Sequence, residues 1–210
     1  MVLFYGFLAR YCQNKLKLKI KYLKLFSMPV SGGAQFIKPQ QILEKMQLIE
    51  DMKVADLGCG NLGYFVIPVA KVIGKKGIAY VVDIRKSVLE TVKSRAKLEV
   101  LTNLEYVWAD LEKIGSTKIP EGSLDVDFLI NVLFQNKKHG DILKEAARLL
   151  KKGGKLMVVD WKKVGVPFGP PVEVRVDPET IKSLAAKLNL QLVEQTDIGD
   201  YFWGLIFVKI

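Results

Sequence analysis

The sequence has 210 residues, of which 50% are apolar and 26% charged, and this composition is typical of one globular domain with a substantial core. Two cysteines exclude a disulfide framework and favour a reducing, cytoplasmic compartment, while a single histidine and no cysteine cluster argue against a metal site. Of the net charge of +10, six positive charges lie in residues 1–26, which contain no acidic residue. The remaining charge of about +4 is too small to predict a nucleic-acid-binding surface on the folded body.

The N-terminal residues 1–27 are predicted to be a basic extension that precedes a domain over residues 28–210. The apolar stretch at residues 1–9 is shorter than the ~20 residues that span a bilayer. Basic residues follow this stretch instead of preceding it, so a secretory signal is not expected. Two interpretations stay open: the extension contacts an anionic membrane surface or RNA, or it is a loosely ordered segment with Met28 as the true first residue.

Helical and strand patterns alternate along the rest of the chain, and the continuous apolar runs are typical of buried parallel strands. The first predicted helix begins at residues 36–39, with Pro39 in its first turn. Four further helices are predicted over residues 62–73, 87–98, 141–150 and 177–188. The predicted strands cover residues 53–57, 78–83, 104–108, 125–131, 155–160, 190–196 and 201–210. Pro68 predicts a kink or a delayed start in the second helix. Residues 151–154 give the fourth helix a cationic last turn and a glycine stop.

A glycine-rich loop follows the first predicted strand, and this pattern predicts a ligand-binding site. The spacing of Gly58, Gly60 and Gly63 matches a dinucleotide fingerprint, and Asp83 lies at about the distance expected for a ribose-binding acid. Asp56 argues for another ligand, because a carboxylate beside the loop would repel a pyrophosphate. A cationic ligand such as S-adenosylmethionine (SAM), which carries an ammonium and a sulfonium group and no phosphate, suits the loop better.

Polar side chains also follow the later strands. Asp83 ends the second strand at the edge where open α/β sheets bind ligands, and the alternative is that it caps the next helix. Asn131 and Gln135 follow the fourth strand and are candidates to orient a substrate or to take part in catalysis. His139 is a candidate general base, although its charged neighbours indicate an exposed helix start.

Five stretches resemble motifs of class I SAM-dependent methyltransferases, in the order and at the spacing that such domains show. They are Asp56-Leu57-Gly58-Cys59-Gly60, Val81-Val82-Asp83, Trp108-Ala109-Asp110, residues 125–131 and residues 149–154. The resemblance covers residues 36–210 and is strongest to small-molecule methyltransferases of the ubiquinone and menaquinone biosynthesis type. One difference is that Asn61 and Leu62 both lie between the second and third loop glycines, where the family usually has one residue. The resemblance implies an α/β fold with a Rossmann-like, doubly wound sheet of seven strands, mostly parallel and ending in an antiparallel hairpin.

The resemblance also implies SAM as the cofactor and assigns roles to the acidic residues. Asp56 lies on the side of the ammonium group, Asp83 accepts hydrogen bonds from the ribose hydroxyls, and Asp110 accepts one from the adenine amino group. The alternative for Asp110 is a turn residue. The cofactor-binding residues that the resemblance implies are Asp56, Gly58, Cys59, Gly60, Asp83, Ile84, Asp110, Leu111 and Asn131.

Substrate contacts are expected on the other side of the cleft. Phe36 begins a helix that lies over the cofactor cleft in the family, and the alternative is that it only fixes the helix start to the core. Trp161, Phe168 and Arg175 lie in or beside a proline-rich loop, where methyltransferases commonly contact their substrates. Gln135 completes these candidates.

The expected function is transfer of a methyl group from SAM to a small-molecule acceptor. A methyltransferase acting on RNA, another nucleic acid or a protein stays open, although the fourth strand lacks an Asn-Pro-Pro-Tyr-like turn for a flipped base. An NAD-dependent oxidoreductase also stays open, against which stand Asp56 and the lack of a Tyr-x-x-x-Lys pair after the loop. A third alternative is a protein that binds SAM without catalysing a reaction.

Overall fold

The computed structural model describes Gly33 and residues 36–210, so the predicted extension over residues 1–27 lies outside the described residues. The helices are α1 (Pro39–Met46), α2 (Val66–Val72), α3 (Lys86–Leu98), α4 (His139–Leu149) and α5 (Pro178–Ala186). The strands are β1 (Lys53–Leu57), β2 (Ile78–Asp83), β3 (Leu104–Trp108), β4 (Leu124–Ile130), β5 (Leu150–Trp161), β6 (Leu190–Ile198) and β7 (Phe202–Lys209). Short 3-10 turns occupy Leu133–Gln135 and Val172–Val174.

The strands form one seven-stranded sheet in the order β3-β2-β1-β4-β5-β7-β6. Strands β1 to β5 pair in parallel, whereas β7 runs antiparallel to both β5 and β6. The strand order reverses between β1 and β4, and the crevice outside the carboxyl ends of strands at such a point is where open α/β sheets bind ligands. The predicted fold class is therefore confirmed.

Apolar side chains cover both faces of the sheet, which explains the continuous hydrophobic runs in its central strands. Ile42 of α1, Val69 of α2 and Val92 of α3 pack in one buried cluster. Ile142 of α4 and Ile181 of α5 pack in a second cluster, on the opposite face. Among the described helices, none has the length and apolar character needed to cross a bilayer.

The helix predicted over residues 62–73 is shorter in the structure, because α2 begins only at Val66. Pro68 lies in its first turn, where the missing backbone N–H costs no helix hydrogen bond. The delayed start that Pro68 predicts is thus present. It leaves residues 60–65 as an irregular turn at the carboxyl end of β1.

The predicted glycine stop after the fourth helix is wrong. Helix α4 ends at Leu149, and Leu150 already pairs with Leu124 of β4. The register then shifts before Lys155, so residues 151–154 form an irregularity within β5. A Cβ on Gly154 would approach the backbone oxygen of Leu124 to 3.0 Å, which explains a glycine at this close approach.

Candidate active site

A cavity of about 330 Å³ lies at the carboxyl ends of β1, β2 and β4, at the reversal of strand order. It brings together every residue predicted to bind the cofactor. These residues are Asp56, Gly58, Cys59, Gly60, Asp83, Ile84, Asp110, Leu111 and Asn131. They are far apart in sequence, and the parallel strands place them at one edge because each strand begins at the opposite edge.

The glycine-rich loop turns sharply enough to form one wall of this cavity. Gly58 has φ +87°, and a Cβ at this position would lie 2.7 Å from a methyl group of Val132. Gly60 has φ +66° but open space around it, and its amide donates to a carboxylate oxygen of Asp83 at 3.3 Å. Gly58 is thus required by close packing, whereas Gly60 is required only by its backbone conformation.

Asp56 is a buried acid at the base of the cavity. Burial, and then the negative charge of Asp83, raise the pKa of the Asp56 carboxyl to about 7, although a backbone hydrogen bond from Val66 opposes this shift. Its Oδ2 atom has no hydrogen-bond partner among the described residues. A buried carboxylate oxygen beside a cavity is stabilised by a cationic group and would repel a phosphate.

Asp83 ends β2 and is almost fully buried. Its carboxylate accepts hydrogen bonds from the backbone N–H groups of Gly60 and Arg85 and from the Arg85 guanidinium. Helix α3 begins after Arg85 with no side-chain cap from the described residues. The alternative in which Asp83 caps this helix is therefore wrong.

Asp110 lies beyond β3 and lines the cavity. One of its oxygens accepts a hydrogen bond from the backbone N–H of Glu112 at 3.1 Å, and Lys113 lies 3.4 Å from the other. The turn role and the cavity position thus occur together, because the turn bond uses only one oxygen. Leu111 and Ala109 line the cavity beside it.

Asn131 follows β4 and combines two unusual features. It has φ +57°, a backbone conformation that non-glycine residues rarely adopt. Its side chain is buried, and neither its amide nitrogen nor its amide oxygen has a partner among the described residues. Because Asn131 lines the cavity, its amide can bind a ligand or water there.

The turn after Asn131 is held in place by several side chains. The Gln135 amide donates to the Asn131 carbonyl at 2.7 Å, and the Asn136 amide donates to the Val132 carbonyl at 2.7 Å. Asp160, at the end of β5, accepts a hydrogen bond from the backbone N–H of Phe134 at 3.1 Å. Gln135 and Asn136 both line the cavity, and Asn136 was not predicted although it adjoins Gln135 in sequence.

His139 does not line the cavity. Its Nε2 donates to the carbonyl oxygens of Leu133 at 3.0 Å and Asn136 at 2.8 Å. The ring is half-buried at the start of α4, so the predicted helix start is present and the ring stabilises the preceding turn. The structure brings two of the three catalytic candidates, Asn131 and Gln135, to the cavity.

The aromatic substrate candidates pack together outside the cavity lining. The Phe36 and Phe168 ring centroids lie 4.9 Å apart, and Tyr201 contacts both rings. Trp161 is fully buried under this group, against Phe202 at 4.5 Å. Phe36 thus contacts two rings that border the core and is itself 42% exposed, so both interpretations of this residue stay predictions.

Arg175 is buried beneath the proline-rich loop. Its guanidinium donates to the carbonyl oxygens of Lys162, Val164 and Pro170 at 2.6 to 3.0 Å. It also lies 5.2 Å from the Trp161 ring. These hydrogen bonds use the guanidinium donors within the loop, so Arg175 stabilises the loop. Arg175 does not line the cavity.

The residues of the cavity fit SAM. Asp56 offers an unpaired oxygen to a cation, Asp83 and Asp110 are acceptors for hydroxyl and amino groups, and Asn131 offers both a donor and an acceptor. The described residues contain no cluster of three or more histidine, cysteine or acidic side chains that would hold a metal. The cavity therefore suits a cationic organic cofactor.

Comparisons with known proteins identify the family. The profile of the methyltransferase domain family matches residues 48–201. The ubiquinone/menaquinone biosynthesis C-methyltransferase UbiE of Laribacter hongkongensis is 34% identical over 67% of this chain and 56% of that protein. UbiE of Chromobacterium violaceum is 36% identical over the same shares. The chain thus spans about half the length of the curated relatives it matches.

Solved structures share the fold at lower sequence identity. A SAM dependent methyltransferase from Aquifex aeolicus superposes with a TM-score of 0.76 over 90% of this chain and 98% of that chain, at 21% identity. The family and the fold together imply SAM as the cofactor. With the family profile covering most of the sequence, the chain belongs to the methyltransferase domain family.

Proposed function

We propose that this protein transfers a methyl group from SAM to a small-molecule acceptor. The observation that carries the proposal is the row of acidic side chains at one sheet edge, with an unpaired oxygen on Asp56 and an unpaired amide on Asn131. SAM, when bound, supplies an electrophilic methyl group. The chain's own residues bind and orient it there.

Each of these residues has a separate task in the proposal. Asp56 attracts the ammonium group, Asp83 accepts from the ribose hydroxyls, and Asp110 accepts from the adenine amino group. Ile84 and Leu111 contribute apolar contacts in the same cavity. Holding two reactants in place can lower a barrier by ~7–11 kcal/mol. Methylation of a ring carbon also releases a proton, which leaves to water or to a nearby base, so the need for a dedicated base depends on the acceptor atom.

For the acceptor, we propose a carbon atom on a ring of the quinone type. The support is that UbiE relatives are named C-methyltransferases of ubiquinone and menaquinone biosynthesis. Gln135 is the acceptor-binding candidate inside the cavity, while Phe36 and Phe168 form an aromatic surface at the carboxyl side of β5. A reduced, electron-rich ring fits an electrophilic methyl donor.

The cellular setting is part of the same proposal. We infer a cytoplasmic enzyme, because the sequence has only two cysteines. Contact of residues 1–27 with an anionic membrane surface would bring the protein close to an apolar acceptor. Deleting residues 1–27 should then reduce retention on vesicles with anionic lipid and leave cofactor affinity unchanged; equal retention would exclude this contact.

Calorimetric titration tests the cofactor assignment. S-adenosylhomocysteine should bind the purified full chain, whereas NADH and NADPH should give no heat of binding. Binding of a nicotinamide dinucleotide alone would overturn the proposal in favour of an oxidoreductase.

Methyl transfer from radiolabelled SAM tests the acceptor class. Transfer to reduced 1,4-naphthoquinone is compared with transfer to RNA and to a protein mixture; transfer only to RNA or protein would exclude the small-molecule acceptor.

A further inference from the structure

The carboxylate of Asp83 is already engaged within the protein. Its Oδ1 atom accepts from the Arg85 backbone N–H at 2.9 Å and from the Arg85 Nε at 3.1 Å. Its Oδ2 atom accepts from the Gly60 N–H at 3.3 Å and from an Arg85 terminal nitrogen at 3.4 Å. A carboxylate offers about four lone-pair sites, so these donors leave little acceptor capacity for a ribose.

Two of these donors are fixed and two can leave. The Gly60 and Arg85 N–H groups belong to the backbone of the loops that form the cavity. The guanidinium is on a side chain that is 50% exposed and that also lines the cavity. It can therefore move into solvent without disturbing the core.

We propose that the Arg85 guanidinium is a latch on Asp83, which occupies the position of the ribose hydroxyls until the cofactor displaces it. The inference rests on the proposed function. In the latched state Arg85 compensates the charge of a buried acid that lies beside a second one, Asp56. The latch therefore stabilises the ligand-free protein and weakens the cofactor's apparent affinity, because binding must first break the ion pair.

The main test compares S-adenosylhomocysteine affinity in the wild type, Arg85→Ala and Arg85→Gln. Both variants should bind about 1.5- to fivefold more tightly, the range expected for removal of a competing, partly exposed ion pair. Lys86→Ala is the matched control. Lys86 carries the same charge on the next residue but lies over the Trp108 ring at 4.1 Å, so its removal should leave the affinity unchanged.

Two further ligand comparisons separate the latch from general charge effects. Adenosine should gain affinity in Arg85→Ala, whereas 2′,3′-dideoxyadenosine, which lacks the hydroxyls that compete for Asp83, should not. SAM and S-adenosylhomocysteine should gain by similar factors; a gain for SAM alone would mean that Arg85 acts by repelling the cation. NADPH binding that is lost in Arg85→Ala would mean that Arg85 serves a 2′-phosphate instead.

The outcomes distinguish this inference from the proposed function. If the wild type fails to bind S-adenosylhomocysteine, the proposed function fails. If the wild type binds and Arg85→Ala binds equally well, the latch is wrong and Arg85 has no role in binding. If Arg85→Ala binds more weakly, the latch is also wrong and Arg85 instead orients Asp83 for the ribose. Circular dichroism of each variant confirms the folded state, and the Arg85→Gln variant keeps most of the side-chain volume if Arg85→Ala unfolds.

Discussion

Two buried aspartates, Asp56 and Asp127, have carboxylate oxygens without a hydrogen-bond partner among the described residues, and Asp56, unlike Asp127, lines the cofactor cavity. Asp56 faces the proposed cofactor position, where a cation would compensate the free-energy cost of burying its carboxylate. Asp127 lies within β4, and neither of its oxygens has a hydrogen-bond partner among the described residues. Burial, and then the nearby charge of Glu145, raise the pKa of Asp127 well above its ordinary value. We therefore propose the first acid as a binding group, and we expect the second to reduce stability.

Replacement of Asp127 by Val should stabilise the protein. An unsatisfied buried polar group costs about 1–3 kcal/mol, and valine fits a central strand, so the free energy of unfolding at pH 7 should rise by an amount of this order. Urea denaturation measures it, with Asp200→Val at the exposed hairpin tip as the control. A destabilised Asp127→Val variant would show that the carboxylate has a favourable role.

Replacement of Asp83 by Ala should weaken S-adenosylhomocysteine binding. Hydrogen bonds to a charged group are worth about 1.5–3 kcal/mol, which corresponds to roughly 10- to 100-fold in the dissociation constant. Calorimetric titration measures the loss, and Asp141→Ala, in the first turn of α4, is the control. Unchanged affinity in Asp83→Ala would remove its role in binding the ribose.

At the scale of elements, two loops at the carboxyl edge of the sheet are fixed by side chains. The turn after β4 is held by Asp160 and His139, and the loop after β5 is held by Arg175. The sequence predicts functional roles for His139 and Arg175 because each is a polar residue close in sequence to a predicted binding site. Their actual role depends on which backbone carbonyls the folded loops turn towards them, and local sequence does not encode that direction.

Replacement of Arg175 by Ala should loosen the loop after β5. Several backbone carbonyls lose their donor, so we expect faster tryptic cleavage after Lys162 and Lys163 and a loss of about 1.5–3 kcal/mol in stability. Because Arg175 does not line the cavity, affinity for S-adenosylhomocysteine should change little. Lys182→Ala on α5 serves as the control, and cleavage at the wild-type rate would contradict this role.

At the scale of the whole molecule, the fold and the cofactor edge could be predicted because they follow from strand order. Asp56 and Asp83 lie at the carboxyl ends of β1 and β2, and Asp110 follows β3; these strands are parallel, so they end at one edge. The start of β5 was missed because Lys-Lys-Gly-Gly is typical of a helix end, whereas pairing with β4 extends the strand through it. Asn136 and the contact between Arg85 and Asp83 were missed because they depend on tertiary packing of turns and side chains.

The ligand-free protein should be most stable at acidic pH. Burial raises the pKa values of Asp56 and Asp160 from 3.8 to about 7, so the stability that their protonated forms contribute is lost progressively as pH rises from 3.8 to about 7. Arg148, Gly115 and Thr117 outweigh burial and lower the pKa of Glu145 to about 2, so its contribution is lost as pH falls from 4.5 towards 2. Urea denaturation across this range should therefore give a maximum at about pH 4 and a fall in stability from about pH 4.5 to 7. Stability that rises from pH 6 to pH 8 would contradict these shifts.

A crystal structure of the full chain with S-adenosylhomocysteine tests the central claim most directly. The account predicts the adenine amino group at Asp110, the ribose hydroxyls at Asp83 with the Arg85 guanidinium moved away, and the amino acid end near Asp56 and Asn131. A ligand bound elsewhere, or a nucleotide phosphate against the Gly58–Gly60 loop in parallel crystals grown with NADPH, would contradict it.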